Sequence, residues 1–219
     1  MCTVTFVPAG DKIMLTSSRD ERTTRATALP PAVKEWRGKK IMYPTDPQSG
    51  GSWIGVNEHG HAAVLLNGAF NNHIPQTNYR LSRGRIFMDI ISNKQPSEQF
   101  QKLSLFDIEP FTLIIVMTDE VWDFRWDGLQ KHSSPLEKDL PHIWSSATLY
   151  DPTHKAERET WFSDFLSKNP TPSEQDILHF HLAGGNGDPG HNLVMQRGDV
   201  YATASITRLS IMDDSANMY

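Results

Sequence analysis

Cysteine is nearly missing from this chain: one in 219 residues, and it stands at position 2. A single thiol excludes an internal disulfide framework and fits a reducing compartment. Long hydrophobic runs are missing too, since the longest, Phe111 to Met117, is too short to span a bilayer. The N-terminus lacks the basic-then-apolar pattern of a secretion signal, because Asp11 and the polar Ser17–Arg22 run follow almost at once. A cytoplasmic protein without a membrane span is the expectation. No Lys/Arg-rich block accompanies the net charge of −5, which argues against nucleic acid or an anionic membrane surface as partner. Repeats, low-complexity tracts and Gly/Ser/Pro linkers do not occur either. Residues 1–219 therefore read as one domain, long enough to bury a substantial core.

What is present points to strands at both ends and helices between and late. Thr3–Val7 and Lys12–Ser18 are β-rich runs joined by Pro8-Ala9-Gly10-Asp11, which predicts a hairpin. Trp53–Val56 and His61–Asn67 flank Asn57-Glu58-His59-Gly60 and predict a second one. Phe111–Thr118, Val121–Trp126 and His142–Ala147 read as strands, and Val200–Met212 as a closing pair. Helices are predicted over Ser82–Ser92 and Pro96–Phe106, and from the Asp151-Pro152 cap to about Ser167. A last helix runs from the Thr171-Pro172-Ser173-Glu174 capping box to Leu182. That order favours an α+β layered fold over alternating βαβ units.

Chance would place a lone cysteine at position 2 about once in 219 placements. Removal of Met1 would leave a thiol and a free α-amine on one residue, the arrangement on which N-terminal nucleophile (Ntn) hydrolases are built. The alternative is a small buried hydrophobe in a first strand. Centring the hairpin turn between Ala9 and Gly10 sets Phe6 opposite Ile13, Val4 opposite Leu15 and Cys2 opposite Ser17. Alternation then puts Cys2, Val4, Phe6, Ile13, Leu15, Ser17 and Arg19 on one face, with Arg19 roughly 7 Å along the strand from the position facing Cys2. A long guanidinium side chain covers that distance, and a cation beside a thiol lowers its pKa. Asp20 follows, within reach of the amine, which with a pKa of about 7.7–8.0 is roughly one-tenth neutral at pH 7 and can accept the thiol proton. The competing reading of Ser18-Arg19-Asp20-Glu21-Arg22 is a solvated charge cluster. Asn67, before Gly68 at a strand end, fits either turn chemistry or an amide donor to an oxyanion.

Met1-Cys2, Ser18-Arg19-Asp20-Glu21, Gly50-Gly51-Ser52-Trp53-Ile54-Gly55-Val56 and Ser82-Arg83-Gly84 occur in the order seen in the NRDE family, the proteins resembling transport and Golgi organisation protein 2. The resemblance covers roughly the first 90 residues. It implies an Ntn-hydrolase-like fold, a four-layer αββα sandwich of two antiparallel sheets. It also implies Cys2 as nucleophile and base, Arg19 and Asp20 as supporting charges and Asn67 as oxyanion donor. A more distant similarity is to the choloylglycine-hydrolase and penicillin-acylase group. The chain departs from the family pattern at Ser18, where the motif has asparagine, and at Ser146, which aligns with a second family asparagine.

Other constellations carry less. His179 and His181 sit two apart on a predicted helix and so point in different directions, which argues against a metal site with His191 and Asp188. The run from Gly184 to Gly190 has the composition of a phosphate loop, but it follows a helix and lacks the P-loop lysine. Trp122 and Trp126 read as core. No cofactor or metal is called for. The function expected is hydrolysis of a small-molecule amide or other acyl bond through an acyl-thioester. The other class kept open is a non-catalytic carrier of a hydrophobic ligand, such as the lipid or haem with which the family is linked.

Overall fold

The computed structural model describes residues 3–212 and 215–219. Among them two antiparallel sheets stack face to face. One sheet runs β10 (His142–Ser145), β1 (Thr3–Ala9), β2 (Lys12–Arg22), β12 (Tyr201–Met212), β11 (Gln196–Arg197), with β13 (Ser215–Met218) also on β12. The other is a seven-stranded meander: β3 (Leu29–Trp36), β4 (Lys39–Thr45), β5 (Ile54–Asn57), β6 (Ala62–Asn67), β7 (Phe111–Val116), β8 (Val121–Trp126) and β9 (Lys131–Leu136). Helices α1 (Arg83–Ile91) and α2 (Pro96–Lys102) cover the meander, and α3 (Pro152–Lys168) and α4 (Glu174–Ala183) cover the first sheet. The result is the αββα sandwich.

Burial explains the layering. Every residue of β7, Phe-Thr-Leu-Ile-Ile-Val, is buried, as befits a central strand covered on both faces. Val4, Phe6 and Leu15 point between the sheets, while Val7 and Met14 point outward to Phe162, Ile177 and Phe180 of α3 and α4. Each large side chain buried this way contributes about 1.5–3 kcal/mol. The last helix begins at Ser173, whose hydroxyl accepts from the Asp176 amide while Asp176 accepts from the Ser173 amide. Its capping box therefore starts two residues later than the Thr171 reading.

Three predictions shift. The β1–β2 turn is Gly10-Asp11, so Phe6 pairs with Leu15 and Val4 with Ser17, two residues from the expected register. A two-residue slip preserves facing, so Val4, Phe6, Leu15 and Arg19 remain on the inner side. The closing pair over Val200–Met212 is instead one strand, Tyr201–Met212, with a bulge between Thr203 and Ser205. The segment has no glycine, proline, asparagine or aspartate at which to turn. The helix predicted to Phe106 ends at Lys102. Strands β3, β4 and β9 were not anticipated. β3 and β9 are the sheet's edges and carry Pro30, Pro31 and Pro135, which edges tolerate. The β3–β4 hairpin is closed by Arg37 (φ 49°) and Gly38 (φ 79°), the left-handed pair that a tight hairpin turn needs.

Candidate active site

At the Arg22 end of β2 a cleft of about 220 Å³ opens between the sheets, lined by Arg19, Glu21, Arg25, Asp46, Ser52, Trp53, Asn67, Arg83 and Glu109. Two of the sequence motifs meet in its wall. A Cβ on Gly51 would lie 2.5 Å from the carbonyl carbon of Gly84, so only glycine lets the backbone before β5 touch the start of α1. Ser52 is held by hydroxyl bonds to the carbonyls of Pro44 (2.7 Å) and Ile54 (3.0 Å). That leaves Trp53 beneath Arg19, whose guanidinium stacks 4.7 Å above the ring.

Arg19 is 3% exposed and donates to Asp46 at 2.8 Å and Glu21 at 3.4 Å. Arg25 donates to the same Asp46 oxygen at 2.8 Å, and Arg83 pairs with Glu109 at 3.1 Å. Burial would raise the Asp46 carboxyl. The Arg25 and Ser49 hydrogen bonds and the two arginine charges more than offset it and hold Asp46 below the usual carboxylate range. Arg19 lies on the face the hairpin argument gave it but in a register shifted by two residues, one residue beyond the Thr3–Ser18 pair, and its charge is shared with two carboxylates. Its power to lower a neighbouring thiol pKa is correspondingly smaller. Cys2 lies outside the described residues.

Asn67 ends β6 in the same cleft. Its carbonyl accepts from Ser146 Oγ at 2.8 Å, and its side-chain amide has no hydrogen-bond partner among the described residues. Ser146 therefore braces Asn67. Asp20, next along β2, faces the other side of the sheet. It accepts from Tyr150 Oη at 3.0 Å and from Thr203 Oγ1 at 2.5 Å. The sequence-predicted residues are thus split: Arg19 and Asn67 share the cleft, and Asp20 belongs to the outer layer.

That outer layer contains a residue the sequence reading missed. Arg158 of α3 is 1% exposed and donates to Thr3 Oγ1 at 2.8 Å and to the carbonyls of His191 and Asn192. Its guanidinium stacks 3.4 Å from the Tyr150 ring, whose hydroxyl reaches Asp20. The sequence shows only an arginine inside a predicted helix, which normally means solvent.

The histidine readings resolve in the same layer. His179 is exposed and His181 fully buried, its two ring nitrogens 2.8 Å from Thr5 Oγ1 and Ser18 Oγ. Burial first, and the Arg158 charge second, push its pKa down to about 3, so it is neutral. Ser18 is hence the partner of a buried imidazole. Among the described residues no three His, Cys, Asp or Glu side chains could hold a metal, and no helix is long and apolar enough to cross a membrane.

The architecture is shared with solved structures. A Caenorhabditis elegans ortholog of N-acylethanolamine-hydrolyzing acid amidase superposes with a TM-score of 0.64 at 11% identity, over 98% of this chain and 94% of that one. A mutant of the conjugated bile acid hydrolase from Clostridium perfringens does so with a TM-score of 0.58 at 9% identity, over 100% and 92%. Both are Ntn hydrolases, and at such identities the likeness concerns the fold alone. No curated protein is similar enough in sequence to match. The sequence pattern of Transport and Golgi organisation 2 matches residues 1–197, well past the first ninety. With nine-tenths of its length so matched, the chain belongs to the Transport and Golgi organisation 2 family.

Proposed function

We propose that this protein is an N-terminal cysteine hydrolase acting on a small-molecule amide or other acyl bond. Met1 is removed, the Cys2 thiol attacks the substrate carbonyl, and the Cys2 α-amine takes the thiol proton and delivers it to the leaving group. The acyl-thioester is then hydrolysed by water. Asn67 supplies an N–H to the oxyanion, Arg19 lines the cleft, and Asp20, which accepts from Tyr150, is the carboxylate that holds the amine.

The observation that supports this reading is that buried Arg19, one residue beyond the last described β1–β2 pair, shares a cleft with Asn67, whose side-chain amide has no hydrogen-bond partner among the described residues. The two fold neighbours are hydrolases by name, one of N-acylethanolamines and one of conjugated bile acids, which supports amides as the first substrates to try. Intact mass should show Met1 gone, a thiol-directed electrophile should label Cys2, and Cys2→Ala should abolish turnover in an acyl-amide screen. Retention of Met1 on active protein would block the amine base and overturn the mechanism.

A carrier of a hydrophobic ligand is the second reading. It draws on a pocket of about 530 Å³ at the opposite end of the sandwich, where Val33, Ile41, Met42, Val56, Met212 and Ala216 share the wall with Lys40, Asn57, Glu58 and His59. Ligand binding unchanged in Cys2→Ala, with no turnover by the wild type, would favour it.

A further inference from the structure

A second cavity, of about 420 Å³, lies on the far side of the contact that borders the cleft. Ser146 braces Asn67, and the next residues, Ala147 and Thr148, pack against Gly68 and form this cavity's wall. Lys155 and Arg197 line it, together with Tyr150, Asp151, His154 and His191. Neither Lys155 nor Arg197 forms an ion pair with a described residue. Lys155 donates to the Phe70 carbonyl at 3.2 Å, and Arg197 donates to the carbonyls of Gly190 (2.8 Å) and Leu149 (3.0 Å).

Carbonyls position these cations without neutralising them. The carboxylates nearby are engaged: Asp151 by His154 Nδ1 and Asp188 by His191 Nδ1, each at 2.7 Å, with the two imidazoles stacked 3.9 Å apart. Buried Arg158 adds a third cation behind Tyr150, on whose ring Arg197 also sits. Burial lowers the Lys155 pKa, and the Arg125 charge adds to this against the weaker opposing pull of Glu159 and Asp151. Two pre-positioned cations face the cavity, and its one lining carboxylate, Asp151, is held by the His154 amide and ring at the start of α3 rather than by either cation, which leaves both cations to an anion.

We propose that this cavity binds the anionic headgroup of the substrate through Lys155 and Arg197, so that the protein selects amides carrying a negative charge over neutral ones. The word substrate rests on the hydrolase reading of the adjoining cleft; the binding does not. The test uses the full-length Cys2→Ala protein and calorimetric titration with N-lauroylglycine and, as the neutral match, N-lauroylethanolamine. A charge-assisted contact predicts about tenfold tighter binding of the glycine conjugate, shrinking as salt is added. Lys155→Gln, which removes one exposed-side cation bonded only to a carbonyl, should erase most of that preference and leave the neutral ligand unaffected. Arg197→Gln should act likewise.

Equal affinity for the two amphiphiles, no binding of either, or a preference intact in Lys155→Gln overturns the inference. Its failure is separable from that of the hydrolase reading by assaying the wild type. Binding of the glycine conjugate without cleavage removes the catalytic reading alone. Cleavage of both amides with equal kcat/KM removes the headgroup site alone.

Discussion

Around Arg19 three guanidiniums, those of Arg19, Arg25 and Arg83, meet the three carboxylates of Asp46, Glu21 and Glu109. On the other face of β2, Arg158, Arg197 and Lys155 are held instead by carbonyls, a threonine hydroxyl and the Tyr150 ring. The first cluster is closed and balanced. Its charges fix a cleft wall and leave little field for a ligand. The second keeps positive charge unspent next to a cavity, and its Arg158 adds to the burial that holds His181 neutral. Equal numbers of cations thus perform different work, depending on what lies within hydrogen-bond reach.

Breaking the wall of the balanced cluster should have the largest effect. Gly51→Ala drives a methyl to within 3 Å of the Gly84 and Arg85 backbone, and separating those segments should cost about 3 kcal/mol, read as a lower urea midpoint. Arg19→Met comes next. Asp46, nearly buried, keeps Arg25 and two backbone amides but loses one cation, so the expected loss is about 2 kcal/mol, below the usual range for breaking a buried pair. A loss under about 0.5 kcal/mol would mean that the balance of charges is incidental.

Acid should attack the outer layer first. His181 takes up a proton near pH 6.5 when unfolded but only near 3 when folded. Between those values the unfolded chain binds more protons, so stability falls as pH falls, by up to about 1.4 kcal/mol per pH unit. The half-buried His61, its pKa lowered by burial and by His59, adds in the same direction. Asp46 is held below its usual range and contributes its own loss only at lower pH. Urea midpoints between pH 7 and 5 check this, and His181→Gln should flatten most of the slope. Lys155→Gln should be nearly silent, within about 0.5 kcal/mol, because no ion pair is lost. A large loss there would show that Lys155 supports the fold and would weaken its assignment as an anion receptor.

Much of this was legible in the chain. The two central hairpins, the buried run of β7 and the Asp151 cap could be read because alternation, turn residues and capping are local. The facing of Arg19 survived a wrong register because slippage by two residues leaves alternation unchanged. The edge strands β3 and β9 could not be read in the same way. Their prolines and exposed residues give no periodic signal, and neighbours β4 and β8 impose the pairing. Asp20 and Arg158 mark the same limit at the site: one was assigned without knowing its side of the sheet, and the other gave no sign of being buried.

By itself, the sequence determined the strand-rich α+β layering, the motif order that marks the family and the face on which Arg19 lies, since each depends on neighbours within a few residues. Only the tertiary structure decided that Gly51 meets Gly84, that Ser146 braces Asn67, and that one group of cations is neutralised while the other is not. Those contacts join residues far apart in the chain, and charge balance is set by distance in space, which no local pattern encodes.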